Sequence, residues 1–139
     1  MKNAENIMFR IGKIVNIVLI PLSAILMVIG LIALIVGGVA LDTAIAAGDA
    51  QAQIDAQVTI ASGSSCLVWG IYTLIFSIVS LVVCKNKRRE IENGSDEVAP
   101  RVFLIVFGAI GENPFYVLSG IFSLVARNQE HQNPPAQSE

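Results

Sequence analysis

The chain has 139 residues, 54% of them hydrophobic and only 14% charged, where a soluble domain of this size carries about a quarter charged residues. Its net charge of −2 hides a sorting along the chain: no Lys or Arg lies between Ile14 and Cys84. That pattern argues against an ordinary water-soluble domain. It also argues against a nucleic-acid binder, because no aromatic residues interleave with the basic ones and acidic residues follow them.

The first dozen residues are polar with an apolar beat at Ile7, Met8, Ile11 and Val15, and they include Arg10 and Lys13. They read either as a short amphipathic turn at the lipid headgroups or as a frayed cytoplasmic terminus. Residues 14–41 form the longest apolar run and the first expected membrane helix. Its length exceeds what a perpendicular span needs, so it must tilt, kink or begin in the interface. Pro21 removes one backbone donor and offers a kink site. Asn16, Ser23, Gly30 and Gly37 recur at every seventh position, which is one face of a helix, and Ala33 and Ala40 widen it. The small residues around Ala44 and Ala46 resemble a signal cleavage site. The apolar run is much longer than a signal core of about 7–15 residues, so the helix is expected to stay.

Residues 42–63 read as an Ala- and Gln-rich outer segment whose charges are Asp42, Asp49 and Asp55. Ala and Gln favour helix, so the segment can continue the first helix and turn back at Ser62, Gly63 and Ser64. The three Asp residues lack the ligand density of a cation site.

Residues 64–84 form the second expected helix. Cys66, Gly70, Thr73, Ser77, Ser80 and Cys84 follow one another at steps of four and three, opposite a face of Leu, Ile, Val, Phe and Trp. Lipid tails are as apolar as Leu, so helices associate in a bilayer through close backbone approach at small residues and through hydroxyl bonds. Gly30 and Gly37 on the first helix and this second stripe predict an antiparallel pair. The two cysteines stand at opposite ends of one helix, beyond the ~7 Å limit for a disulfide.

The basic run Lys85, Lys87, Arg88 and Arg89 opens an expected cytoplasmic loop over residues 85–98. It fixes orientation by the positive-inside rule, with the amino terminus inside and the acidic segment outside. The four cations are also suited to anionic lipid headgroups. From Arg101 to Arg127 the chain reads as one span or as a short hairpin. One span places Glu112 and Asn113 near the bilayer centre, at a cost of several kcal/mol. A hairpin uses Gly111 as a left-handed cap, Asn113 as the next helix cap and Pro114 as its first residue. It also keeps Arg101 and Arg127 on one side, so a hairpin over residues 99–127 is preferred. Residues 128–139, with Pro134, Pro135 and the single His131, read as a disordered tail.

The stretch from Gly111 through Glu112, Asn113, Pro114, Phe115 and Tyr116 to Gly120 resembles the closing hairpin of small four-helix membrane proteins. These occur in Gram-positive bacteria and their wall-less relatives, and form a family without assigned activity. The resemblance implies four helices and a bacterial plasma membrane, and it carries no catalytic residue with it.

The expectation is therefore one all-α, polytopic membrane bundle of four transmembrane or hairpin helices, with three spans as the alternative. Its anticipated surroundings are the lipid bilayer and a helix–helix partner, either itself or a larger membrane complex. No catalytic grouping, metal set, cofactor motif or recognisable small-molecule substrate site is evident. A structural or accessory role is the first functional reading. An oligomeric carrier or channel that uses Glu112 as an intramembrane proton or ion ligand is the second.

Overall fold

A computed structural model describes residues 2–133 of the chain. Among them are four helices and no strand: α1 (Lys2–Ala47), α2 (Ala50–Glu92), α3 (Ala99–Ile110) and α4 (Pro114–Gln132). The helices are longer than the apolar runs that announce them. The polar amino terminus belongs to α1, and Pro21 lies within that helix. The Ala/Gln-rich residues from Ala50 on belong to α2, as does the basic run, so the loop after it shrinks to residues 93–98. The expected disordered tail is helical as far as Gln132, and residues 134–139 lie outside the described part.

Three turns share one chemistry. α1 ends where Gly48 takes a positive φ of 69°, with Gly48 N–H donating to Ile45 O and Asp49 N–H to Ala44 O, both at 3.1 Å. That pair of bonds is the Schellman motif, which satisfies carbonyls that a helix end leaves without partners. The Asp49 carboxylate then accepts from the N–H groups of Gln51 and Ala52, capping α2. The chain therefore reverses at Gly48 and Asp49 and not at Ser62–Ser64, and Ala44 and Ala46 sit in the last turn of α1. α2 closes the same way at Gly94, with φ 90°, Gly94 N–H donating to Ile91 O and Ser95 N–H to Glu90 O. The third instance follows α3.

The chain divides into two compact units. One is Leu19–Ile75, a hairpin of the adjoining parts of α1 and α2. Its seam is made of Ser23, Gly30, Gly37 and Ala44 on α1 and Ala56, Gly63 and Gly70 on α2, all buried and all spaced by seven. A Cβ placed on Gly30 would lie 2.8 Å from Gly63 O, and one on Gly63 would lie 2.9 Å from Gly30 O. Gly37 faces Ala56 and Ile60 in the same manner, and Gly70 faces Ser23 and Met27. A repeat of seven keeps this seam on one side only if the helices wind around each other left-handedly. Gly63 is thus a point of helix contact and not a turn.

The other unit combines the chain up to Val18 with the chain from Phe76 on. Here the amino-terminal part of α1, the carboxy-terminal part of α2, and α3 and α4 pack around Cys84, Leu104 and Tyr116, with Phe9, Ile91 and Phe107 beside them. α3 and α4 form an antiparallel pair at two glycines: Gly108 lies against Tyr116 and Val117, and Gly120 against Arg101 O and Ile105. Cys66 and Cys84 are both free.

Over the described residues, ten buried polar or charged side chains stand against five buried hydrophobic ones and Pro100, so apolar side chains are not the main occupant of the interior. The outside is correspondingly apolar. Ile35 is 66% exposed and Val68 68%. α1 and α2 each carry an apolar stretch long enough to cross a membrane, and only 11% and 17% of those stretches is buried within the chain.

The seam yields a direct test. Gly63→Leu should force the two backbones apart and destabilise the hairpin by about 1–3 kcal/mol, the usual cost of overpacking. Val68→Ala, on the exposed face, should cost no more than ~0.5 kcal/mol. Thermal unfolding in a mild detergent compares them, and equal losses would remove the seam's role.

Candidate functional site: a buried polar network in the four-helix unit

The residue that gathers this unit together is Asn113. α3 ends at Gly111, followed by Glu112 at φ 55°. Glu112 N–H donates to Ala109 O at 3.2 Å and Asn113 N–H to Gly108 O at 2.8 Å, the third Schellman pair. The left-handed residue is therefore Glu112, whereas Gly111 has an ordinary φ of −80°. Gly111 is needed for space: any Cβ there would collide with the Ser80 side chain of α2.

Asn113 closes α3 and opens α4. Its Oδ1 accepts from Phe115 N–H at 3.2 Å, and Pro114 follows as the first residue of α4, the cap expected from the sequence. A cap uses the oxygen of the amide and leaves its nitrogen with two protons to place. One goes to Gly12 O at 2.7 Å and the other to Asn16 Oδ1 at 2.8 Å. Asn16 Nδ2 in turn donates to Ser77 O on α2 at 3.2 Å. Both amides are fully buried. The turn between α3 and α4 is thereby tied to α1, and through α1 to α2.

Other polar side chains continue the network. Ser80 Oγ donates to Phe107 O at 2.7 Å, joining α2 to α3, and Ser119 Oγ reaches Glu5 O at 3.4 Å, joining α4 to α1. The Arg88 guanidinium bonds Glu5, Asn6 and Glu92, with Arg88 and Glu5 almost fully buried. Breaking such a pair by removing one partner costs about 3–5 kcal/mol, because the other charge is left buried alone.

The residues singled out in the sequence divide accordingly. Gly30, Gly37, Gly70, Ser77, Ser80 and Cys84 lie on buried seams. Cys66 and Thr73 are only half-buried, and Thr73 Oγ1 and Ser77 Oγ are enclosed without a hydrogen-bond partner. Of the four expected lipid-facing cations, Lys85 and Arg89 are exposed. Lys87 is half-buried, pairs with Glu90 at 2.8 Å and lies 5.2 Å from the centre of the Phe103 ring. Arg88 turns inward, because it follows Cys84 by one helical turn on the packed face and meets Glu5 there. Glu112 and Pro114 are exposed and Asn113 is buried.

Chemically, amides and hydroxyls bonded to backbone carbonyls hold helices together and do not transfer protons. Among the described residues, no group of three or more potential metal ligands converges. Comparison with protein-family models, characterised proteins and solved structures finds no match. The likeness of the Gly111–Gly120 stretch to the four-helix bacterial proteins therefore rests on its residues alone.

Glu112 supplies a stability test. A non-glycine residue in the left-handed region is strained by ~1 kcal/mol or more, and Gly is not. Since Glu112 is exposed, Glu112→Gly should raise unfolding stability by about 0.5–1 kcal/mol. Chemical denaturation in detergent checks this, and a loss of stability would mean that the carboxylate contributes a contact.

Proposed function

We propose that the chain is an integral membrane protein of structural or accessory role, crossing the bilayer as the α1–α2 hairpin and assembling laterally by helix packing. One observation carries this reading: two long apolar helices keep most of their apolar surface outward while polar groups occupy the interior. In water such a surface would be an aggregation liability. In hydrocarbon it is solvated, and every buried polar group must find its partner inside the protein.

The lengths suit this arrangement. A helix of 46 residues rises about 69 Å, more than twice a hydrocarbon core of ~30 Å, so α1 has turns to spare on both sides. The basic residues set the direction. With Lys2, Arg10, Lys13, Lys85, Lys87 and Arg89 on the cytoplasmic side, the Gly48–Asp49 turn lies outside. A bacterial plasma membrane is the setting that the resemblance implies.

The α3–α4 hairpin belongs with the cytoplasmic end. α3 has 12 residues and rises about 18 Å, too little to span. Its outward side chains Val102, Phe103 and Val106, with Val98 just before its first turn, are apolar, which suits the cytoplasmic leaflet and not open water. Asn113 bonds Gly12 O and Asn16, which bracket Lys13 on α1, so the turn of residues 111–113 lies at the level of Lys13. An exposed carboxylate in the layer of a lysine favours a packing role for this turn over a buried proton carrier.

Orientation is tested by labelling single cysteines in intact cells, after replacing Cys66 and Cys84. Gln51→Cys should react with an impermeant thiol reagent, while Glu92→Cys and Asn128→Cys should react only after permeabilisation. Labelling of Asn128→Cys from outside would place a span between α2 and the end of α4. Extraction of the chain by carbonate would contradict membrane insertion itself.

A further inference from the structure

The basic run at the end of α2 divides by what each cation holds. Arg88 is shared among Glu5, Asn6 and Glu92, and Lys87 is paired with Glu90. Lys85 and Arg89 are exposed, and neither takes part in an ion pair or a side-chain hydrogen bond among the described residues. They stand four residues apart on one helix, where two like charges repel. The four cations Lys85, Lys87, Arg88 and Arg89 face three carboxylates, Glu5, Glu90 and Glu92, so one positive charge is in excess.

Both unpaired cations line a cavity of about 370 Å³, together with Val82 and Asn86 of α2 and Phe9 of α1. Val82, Lys85, Asn86 and Arg89 follow one another at steps of three, one and three, which is one face of a helix. The character of that face changes along its length. Ile78, Val79 and Val82 are exposed and apolar, and the two cations follow within about 10 Å of Val82 along the helix axis. A ligand that suits this groove is anionic at one end and apolar at the other. The cavity is at the lower end of the ~300–1,000 Å³ range of small-molecule sites, room for a headgroup but not for a whole lipid.

We propose that the groove binds one anionic phospholipid of the cytoplasmic leaflet, with its phosphate between Lys85 and Arg89 and an acyl chain along Val82, Val79 and Ile78. This rests on the membrane reading above and adds to it which two of the basic residues hold the lipid. Basic pockets between helices on the cytoplasmic side are suited to anionic headgroups. The Arg89 guanidinium is a planar fork that matches paired phosphate oxygens, Lys85 supplies a point charge, and the Asn86 amide has N–H donors to add. Glu92 does not bar the phosphate, because Arg88 holds it at 3.2 Å. Phosphate between Lys85 and Arg89 also relieves their mutual repulsion.

The test uses the full chain in a mild nonionic detergent with phosphatidylglycerol or phosphatidylcholine added, and counts bound lipid by native mass spectrometry. One phosphatidylglycerol should stay on each chain, and phosphatidylcholine should be retained about tenfold less. Lys85→Gln with Arg89→Gln should weaken phosphatidylglycerol retention by about tenfold. Arg10→Gln with Lys13→Gln removes the same charge from α1 outside the cavity and should leave retention unchanged. Equal losses in the two double variants, or equal retention of the two lipids, would overturn the site. Displacement of the lipid by millimolar inorganic phosphate would overturn the lipid as its occupant. Circular dichroism verifies folding, and should the α2 double variant not fold, Lys85→Gln alone decides in its place. Carbonate extraction separates this proposal from the reading beneath it. A chain that stays in the membrane yet shows no preference for phosphatidylglycerol overturns the lipid site alone, and a chain that is extracted overturns both.

Discussion

The four-helix unit depends on one primary amide. Asn113 caps α4 with its oxygen and uses both protons of its nitrogen on α1, at Gly12 and Asn16. Because Asn16 passes a further bond to Ser77 O, a turn of three residues determines where three helices meet. Few alternatives satisfy the same amide. Asp at this position could cap but would have no protons for Gly12 O, and Ser could cap but would not reach two acceptors at once. Tyr116 and Phe115 then lie against Gly12, where any side chain would meet the Tyr116 ring.

A polar interior of this kind changes which forces give stability. In a soluble bundle, helices come together because apolar faces leave water. Here most large apolar side chains of α1 and α2 are exposed, and apart from the cluster around Leu104 and Tyr116 many contacts between helices are glycine against carbonyl, serine against carbonyl and amide against amide. In the proposed bilayer setting each interhelical hydrogen bond contributes only about 0.6 kcal/mol on average, so specificity arises from many geometric demands that are met together. The seven-residue spacing of Ser23, Gly30, Gly37 and Ala44 against Ala56, Gly63 and Gly70 is one such demand. Another is the absence of a side chain at Gly108, Gly111 and Gly120, where α3, α4 and α2 touch.

Helices, seams and the broken final segment were legible in the sequence because each leaves a local mark: apolar length, a repeat of seven, and a Gly-Glu-Asn-Pro cap. What could not be read was set by tertiary contact. Ala56 and Gly63 continue the α2 seam, yet polar neighbours disguised them as an outward extension of the first helix and its turn, although the spacing from Gly70 was available as a signal. Arg88 looked like its neighbours Lys87 and Arg89. Only the presence of Glu5 opposite, 83 residues earlier, turns it inward. The role of Asn113 as a cap is local and was foreseen. Its bond to Asn16 joins residues 97 apart and left no pattern in the chain. Gly111 and Glu112 were exchanged in expectation because glycine is the usual left-handed residue. Here the glycine is spent on approach to Ser80, and the strain falls on its exposed neighbour.

Asn16 and Asn113 bind each other across the unit and are not merely buried side by side. A double-mutant cycle of Asn16→Val and Asn113→Ala, read by unfolding free energy in detergent, measures that bond directly. A direct bond gives a coupling of roughly 0.6–1.7 kcal/mol between the two substitutions. Effects that add to within about 0.3 kcal/mol would mean the two amides are independent and would contradict it.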